Sequence, residues 1–110
     1  MLNMTYPGKR QVLLFYNAQG IAIKTEQLNI LEAQKKGLEE RDIEIHSYFL
    51  SEHTDEAQKW KASPENPFTF ILVGKDGTEK MRSQTVVSTE KLFSTIDAMP
   101  MRKREMKEKH

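Results

Sequence analysis

No cysteine occurs among the 110 residues. Its absence excludes a disulfide, a thiolate nucleophile, a CxxC redox pair and any zinc site that needs sulfur, and leaves the compartment open. No run of about 18 apolar residues is present, so no segment is expected to insert into a membrane. An excess of one charge is missing too. Seventeen basic residues face 16 acidic ones for a net charge of +1, too weak a field for nucleic-acid binding to be expected. The histidines, His46, His53 and His110, are too scattered for a metal site. The carboxylates near His53 (Glu52, Asp55, Glu56) read as compensation of a helix dipole instead. Neither metal nor cofactor is expected, and no catalytic Ser-His-Asp set can be argued. Met1 to Arg10 lacks the apolar stretch of a signal peptide, so the chain is expected to be intracellular or a trimmed form.

What remains is enough for one core. Charged residues make up 30% of the chain and the mean hydropathy is −0.68, but the apolar residues are clustered. The length corresponds to a single domain. Val12 to Tyr16 is a continuous apolar run between Pro7-Gly8-Lys9-Arg10 and Asn17-Ala18-Gln19-Gly20, which predicts a central strand covered on both faces with parallel neighbours. Thr25 is a candidate cap for a helix carrying Leu28, Leu31 and Leu38 and ending near Glu40. A second strand over 42–49 alternates Ile43 and Ile45 with Glu44 and His46. A short helix from Thr54 to about Lys61 and a proline-containing loop lead to a third strand, Phe68 to Val73. Asp76-Gly77 then predicts a type I′ hairpin turn into a return strand reaching about Thr85. Ser88 can cap a last helix with Leu92, Phe93, Ile96 and Met99 on one stripe.

The basic character is terminal. Residues 101–110 hold Arg102, Lys103, Arg104, Lys107 and Lys109 against Glu105 and Glu108, leaving residues 1–100 slightly acidic. We therefore read residues 1–100 as the domain and 101–110 as a basic tail able to continue as a helix. The order β-α-β-α-β-β-α, with a mixed four-stranded sheet, is that of the thioredoxin-like α/β fold. Pro67, just before the third strand, is where that fold commonly has a cis-proline.

Three blocks carry a more specific resemblance. Gly74-Lys75-Asp76-Gly77 with Lys80 and Arg82 is similar to a GKDGxxKxR segment. Ile96-Asp97-Ala98-Met99-Pro100-Met101-Arg102 with Glu105-Met106 is similar to an IDxMPMRxxEM ending. Gln34 through Glu40-Arg41-Asp42-Ile43 is a weaker match to a helix end and strand entry. Together they resemble an uncharacterised thioredoxin-like domain family, found in bacterial, often exported, proteins and in animal sushi-repeat-containing matrix proteins. The resemblance implies the fold and carries no catalytic residue.

Two functional expectations follow. The first is a non-catalytic interaction module binding a protein or an anionic ligand through Lys75, Lys80, Arg82, Met101 and Arg102. Its cations would form a basic cluster, although lysines on a sheet edge also simply discourage strand pairing. The second is an enzyme that needs no cysteine, working in a cleft between residues 17–22 and Pro67. Asp97 is expected to interact with Arg102, and Met99 to close the core.

Overall fold

The computed structural model of the chain describes residues 8–108. The first apolar run forms β1 (Arg10–Tyr16), and β3 (Phe68–Val73) is buried at every position. Successive strand side chains point to opposite faces, so such runs need cover on both sides. They receive it as the inner strands of a four-stranded sheet ordered β2-β1-β3-β4, where β2 is Ile43–Phe49 and β4 is Glu79–Ser83. β1 is central, as expected, but only β2 is parallel to it; β3 is antiparallel.

On one face Val12, Leu14, Phe70 and Leu72 pack against Leu31, Leu92 and Ile96. These come from α1 (Ile21–Glu32) and α4 (Thr89–Asp97). On the other face Leu13, Phe15, Ile71 and Val73 meet Leu50, Ala57 and Ala62, around the short α3 (Thr54–Lys59). Met99 packs on the rim of the first core, as its place on the helical stripe implied.

The first helix departs from expectation at its start. Thr25 does not cap it. A 3-10 turn, Ala18–Gly20, precedes α1, and the Asn17 side chain caps that turn by accepting from the Gln19 N–H at 2.9 Å. The apolar first turn of α1 (Ile21, Ala22, Ile23) carries none of the usual capping chemistry, and the helix starts five residues earlier than the Thr25 cap implies. The helix also breaks at Ala33–Gln34, and α2 (Lys35–Glu40) completes it.

The hairpin turn differs as well. A type I′ turn needs positive φ at both central residues, and here Gly77 has φ 82° while Asp76 does not enter that region. The Gly77 N–H donates to the Gly74 carbonyl at 3.0 Å, and the Gly74 N–H to the Thr78 carbonyl at 2.9 Å. The loop is thus one residue longer than a two-residue hairpin, with a left-handed glycine at its end. Asp76 bonds Thr78 and Lys80 and so shapes the turn with its side chain. β4 stops at Ser83, where Ser83 and Thr85 bond each other. Ser88 caps α4 as expected, accepting from the Lys91 N–H at 3.1 Å. Pro100 opens α5 (Pro100–Glu108) at a position where an N–H would have no helical partner.

One internal tie had no sequence signal. Gln27, fully buried on α1, donates to the Val87 carbonyl and accepts from the Val87 N–H, both at 2.8 Å. Its amide thus supplies the pairing that the segment after β4 lacks. Replacing it by leucine keeps the volume but orphans both Val87 groups. Gln27→Leu is expected to cost about 2–4 kcal/mol in urea unfolding; a loss under about 1 kcal/mol would show that Val87 repairs its bonds elsewhere.

Candidate functional site

The register puts the two expected sites at opposite ends of the sheet. Tyr16 pairs with Phe68 at the end holding residues 17–22 and Pro67, whereas Gln11 pairs with Val73 at the hairpin end.

At the first end the chain is closed on itself. The Asn17 N–H donates to the Pro67 carbonyl at 3.1 Å, and the Asn17 side chain donates to the Pro64 carbonyl at 3.1 Å. Gly20, buried, lies so close to Pro67 that a Cβ on it would stand 1.8 Å from the Pro67 carbonyl oxygen. Only glycine permits this approach. Backbone of Gly20 and Pro67 is therefore in contact at the place where the enzyme alternative put its cleft. The cis assignment of Pro67 is corrected: no cis peptide bond occurs among the described residues. Beside this contact, Ile21 at the start of α1 is exposed.

At the other end lies an ion network. Arg10, where β1 begins, is 1% exposed; it donates to the Arg41 carbonyl at 2.8 Å and pairs with Glu105 of α5 at 3.3 Å. Lys75 of the hairpin bonds Glu105 and, at 2.9 Å, Asp42. Asp42 itself adopts φ 54°, a left-handed turn that Asp tolerates. Arg102 is also 1% exposed and bonds Asp97 at 3.2 Å and Glu40 at 3.0 Å, so the expected Asp97–Arg102 pair exists. Arg41 completes the set with Asp97 at 2.9 Å and stacks over the Phe93 ring at 4.0 Å. Four cations (Arg10, Arg41, Lys75, Arg102) thus meet four carboxylates (Glu40, Asp42, Asp97, Glu105).

Burial would raise the pKa of Glu105, but the bonds from Lys75 and Arg10 outweigh it and hold the carboxyl below its ordinary value. Asp97 follows the same pattern, with Arg41 and Arg102 overcoming burial. For Asp42 the Lys75 bond is the leading effect and the direction is again down.

The expected basic cluster is consequently divided. Lys75 and Arg102 are brought together, but through Glu105 and inside the network. Lys80 turns to Asp76, whose carboxyl it lowers to about 2 together with Thr78. Arg82 pairs with Glu79 and donates to the Trp60 and Lys61 carbonyls on the far face of the sheet. Met101 is 45% exposed and borders a pocket of about 250 Å³ lined also by Lys80, Met99 and Pro100. Sequence reasoning missed Arg10, Arg41 and Glu40. A charged residue at the head of an apolar strand carries no local sign that it is buried. The Arg41-Asp42 step, however, belonged to a matched block, and residues of all three blocks converge in this network.

A family model described as Domain of unknown function (DUF4174) matches residues 1–105. Among solved structures, thioredoxin-2, a component of malaria parasite protein secretion machinery, is 21% identical, with a TM-score of 0.65 over 83% of this chain and 84% of its own. Trxlp from Edwardsiella tarda is 19% identical, with a TM-score of 0.61 over 83% and 84%. The germline-specific thioredoxin Deadhead from Drosophila melanogaster is 11% identical, with a TM-score of 0.62 over 87% of each chain. Identities this low establish a shared thioredoxin-like fold alone. No curated protein matches the sequence.

Two outcomes test the two ends. A group whose folded pKa is depressed stabilises above its unfolded value and loses that contribution as pH falls through the folded one. The unfolded values here are 4.5 for Glu105 and 3.8 for Asp97 and Asp42. Unfolding free energy should therefore fall with acidification below about pH 4.5. Glu105→Gln should lower stability at pH 7 by about 1–3 kcal/mol and flatten that acid slope. An unchanged slope in urea titrations at pH 7 and pH 3.5 would remove Glu105 from the network's energetics. At the opposite end, Gly20→Ala should cost about 2–4 kcal/mol; a wild-type Tm would mean that the Pro67 loop retreats freely.

Proposed function

The chain belongs to the DUF4174 family, a domain of unknown function, on a thioredoxin-like fold without cysteine, and from that premise we propose that it is a non-catalytic interaction module for a protein partner. The observation that carries the reading is the Gly20–Pro67 contact. The end of the sheet where thioredoxin-like enzymes do their chemistry has no sulfur in this chain and no space between those two residues. Contact with another molecule is then the use left for the scaffold.

The partner surface is the Gly74–Arg82 hairpin with the start of α5, around the pocket beside Met101. An exposed methionine suits an irregular protein surface because its side chain is flexible and polarizable. A protein is favoured over a free anion because Lys75 and Arg102, both largely buried, already bond carboxylates of their own chain. Binding an anion there would break those pairs before forming new ones. The Lys80–Asp76 and Arg82–Glu79 pairs are both about one-third exposed, more than the Lys75 and Arg102 ends of the network, and such pairs are cheap to rearrange around an incoming side chain.

A photo-crosslinking residue at position 101 is expected to capture a defined partner from native extract, and one at the exposed position 90 is expected to capture none. Met101→Asp should abolish retention of that partner while changing stability by no more than about 0.5 kcal/mol. Equal capture at both positions, or full retention by the variant, would refute the module reading at this surface.

A further inference from the structure

A second pocket, of about 370 Å³, opens beneath α3 on the other face of the sheet. Its volume lies in the lower part of the range of about 300–1,000 Å³ common for small-molecule sites. Leu50, Ala57, Ala62 and Pro64 give it an apolar wall, and Lys61 stands among its lining residues. None of these takes part in the ion network or in the Met101 surface.

The walls are held in place before any ligand arrives. The Asn17 side chain donates to the Pro64 carbonyl at 3.1 Å. Arg82 reaches from β4 to the Trp60 carbonyl and, at 3.2 Å, to that of Lys61. The Ala62 N–H donates to the Ala57 carbonyl at 2.8 Å and the Lys61 N–H to the Gln58 carbonyl at 3.2 Å. Those two bonds end α3 in a Schellman motif with Lys61 in the left-handed position. Glycine is the usual residue there, yet the chain has a lysine with φ 55°. A residue held in a disfavoured conformation at the rim of a cavity is a candidate for function. Its charge is also uncommitted. Unlike Lys75, Lys80, Arg82 and Arg102, exposed Lys61 has no carboxylate partner among the described residues.

We propose that this pocket is a binding site for a small amphipathic carboxylate, its apolar end against Leu50, Ala57, Ala62 and Pro64 and its anionic end at the Lys61 ammonium. An apolar well with one cation at its edge matches a ligand with one apolar end and a single negative charge. Thr54, Gln58 and Ser63 also line the pocket, but Lys61 is its one charged lining residue, which suits a single negative charge better than a phosphate dianion.

The test is amide chemical-shift titration of the full chain with sodium octanoate, 1-octanol and octylammonium. Octanoate is expected to shift Ala57, Ala62 and Ser63 saturably, octanol more weakly, and octylammonium least. Lys61→Gln keeps the side-chain length but not the charge, and should weaken octanoate about five-fold while leaving octanol binding unchanged. Lys61→Gly should raise Tm and weaken octanoate equally, so that lost binding cannot be ascribed to lost folding. The proposal is overturned by no saturable shift at millimolar octanoate, by shifts confined to other residues, by equal binding of octanoate and octylammonium, or by Lys61→Gln binding octanoate as well as wild type.

Discussion

Two arginines without access to water set the terms for one end of this protein. Arg10 and Arg102 are each 1% exposed, and a guanidinium cannot be left dry without anions. The chain answers by drawing carboxylates from the end of α2, the turn into β2, the end of α4 and the middle of α5 to the same place. Arg10 depends on Glu105 alone for a carboxylate, whereas Arg102 and Lys75 each contact more than one, so loss of Glu105 is the change that leaves a buried charge uncompensated. The consequence is positional. Segments far apart in sequence are locked in a register that apolar packing alone would leave free to slide, since the geometry of a forked hydrogen bond is directional.

The same constraint explains what α5 is. By composition residues 101–108 are a solvated basic helix, and Lys103, Arg104 and Lys107 do face water. Arg102 and Glu105, three residues apart and so on one face, turn inward. The helix is thus anchored by charge more than by apolar burial. Residues of all three matched blocks (Arg41 and Asp42, Lys75, Asp97, Arg102 and Glu105) meet at this joint, whereas Lys80 and Arg82 of the hairpin block lie outside it. A fold-level likeness consequently says little about activity, which has to be sought at the surfaces the joint leaves uncovered.

At the far end of the sheet the economy is reversed. Nothing charged is needed where Gly20 meets Pro67, because the approach is made by backbone and depends on a missing side chain. The two ends together describe a thioredoxin-like scaffold closed by backbone contact at one end and by ion pairs at the other. Space open to other molecules lies beside Met101, beneath α3, and in a third hollow bordered by Glu32, Leu38 and Ile43.

Much of the architecture was legible from local pattern. Continuous apolar runs at Val12 to Tyr16 and Phe68 to Val73 can be satisfied only inside a sheet covered on both faces, and the Ser88 cap marked α4 by its own chemistry. The start of α1 was not legible, because an apolar first turn has no capping residue to read, and the α1/α2 break leaves no strong sign in the sequence. Of the candidate site, the Asp97–Arg102 pair and the exposure of Met101 suited their spacing and type, but the fate of Lys75, Arg82 and Arg102 as cations did not. The sequence by itself determined the exclusion of sulfur chemistry and the element order, because composition and periodicity are properties of single residues and near neighbours. Only the tertiary structure decided which charges were neutralised, how closely Gly20 approaches Pro67, and which residues line the hollow beneath α3. Each of those depends on distances between residues that the chain brings together only when it folds.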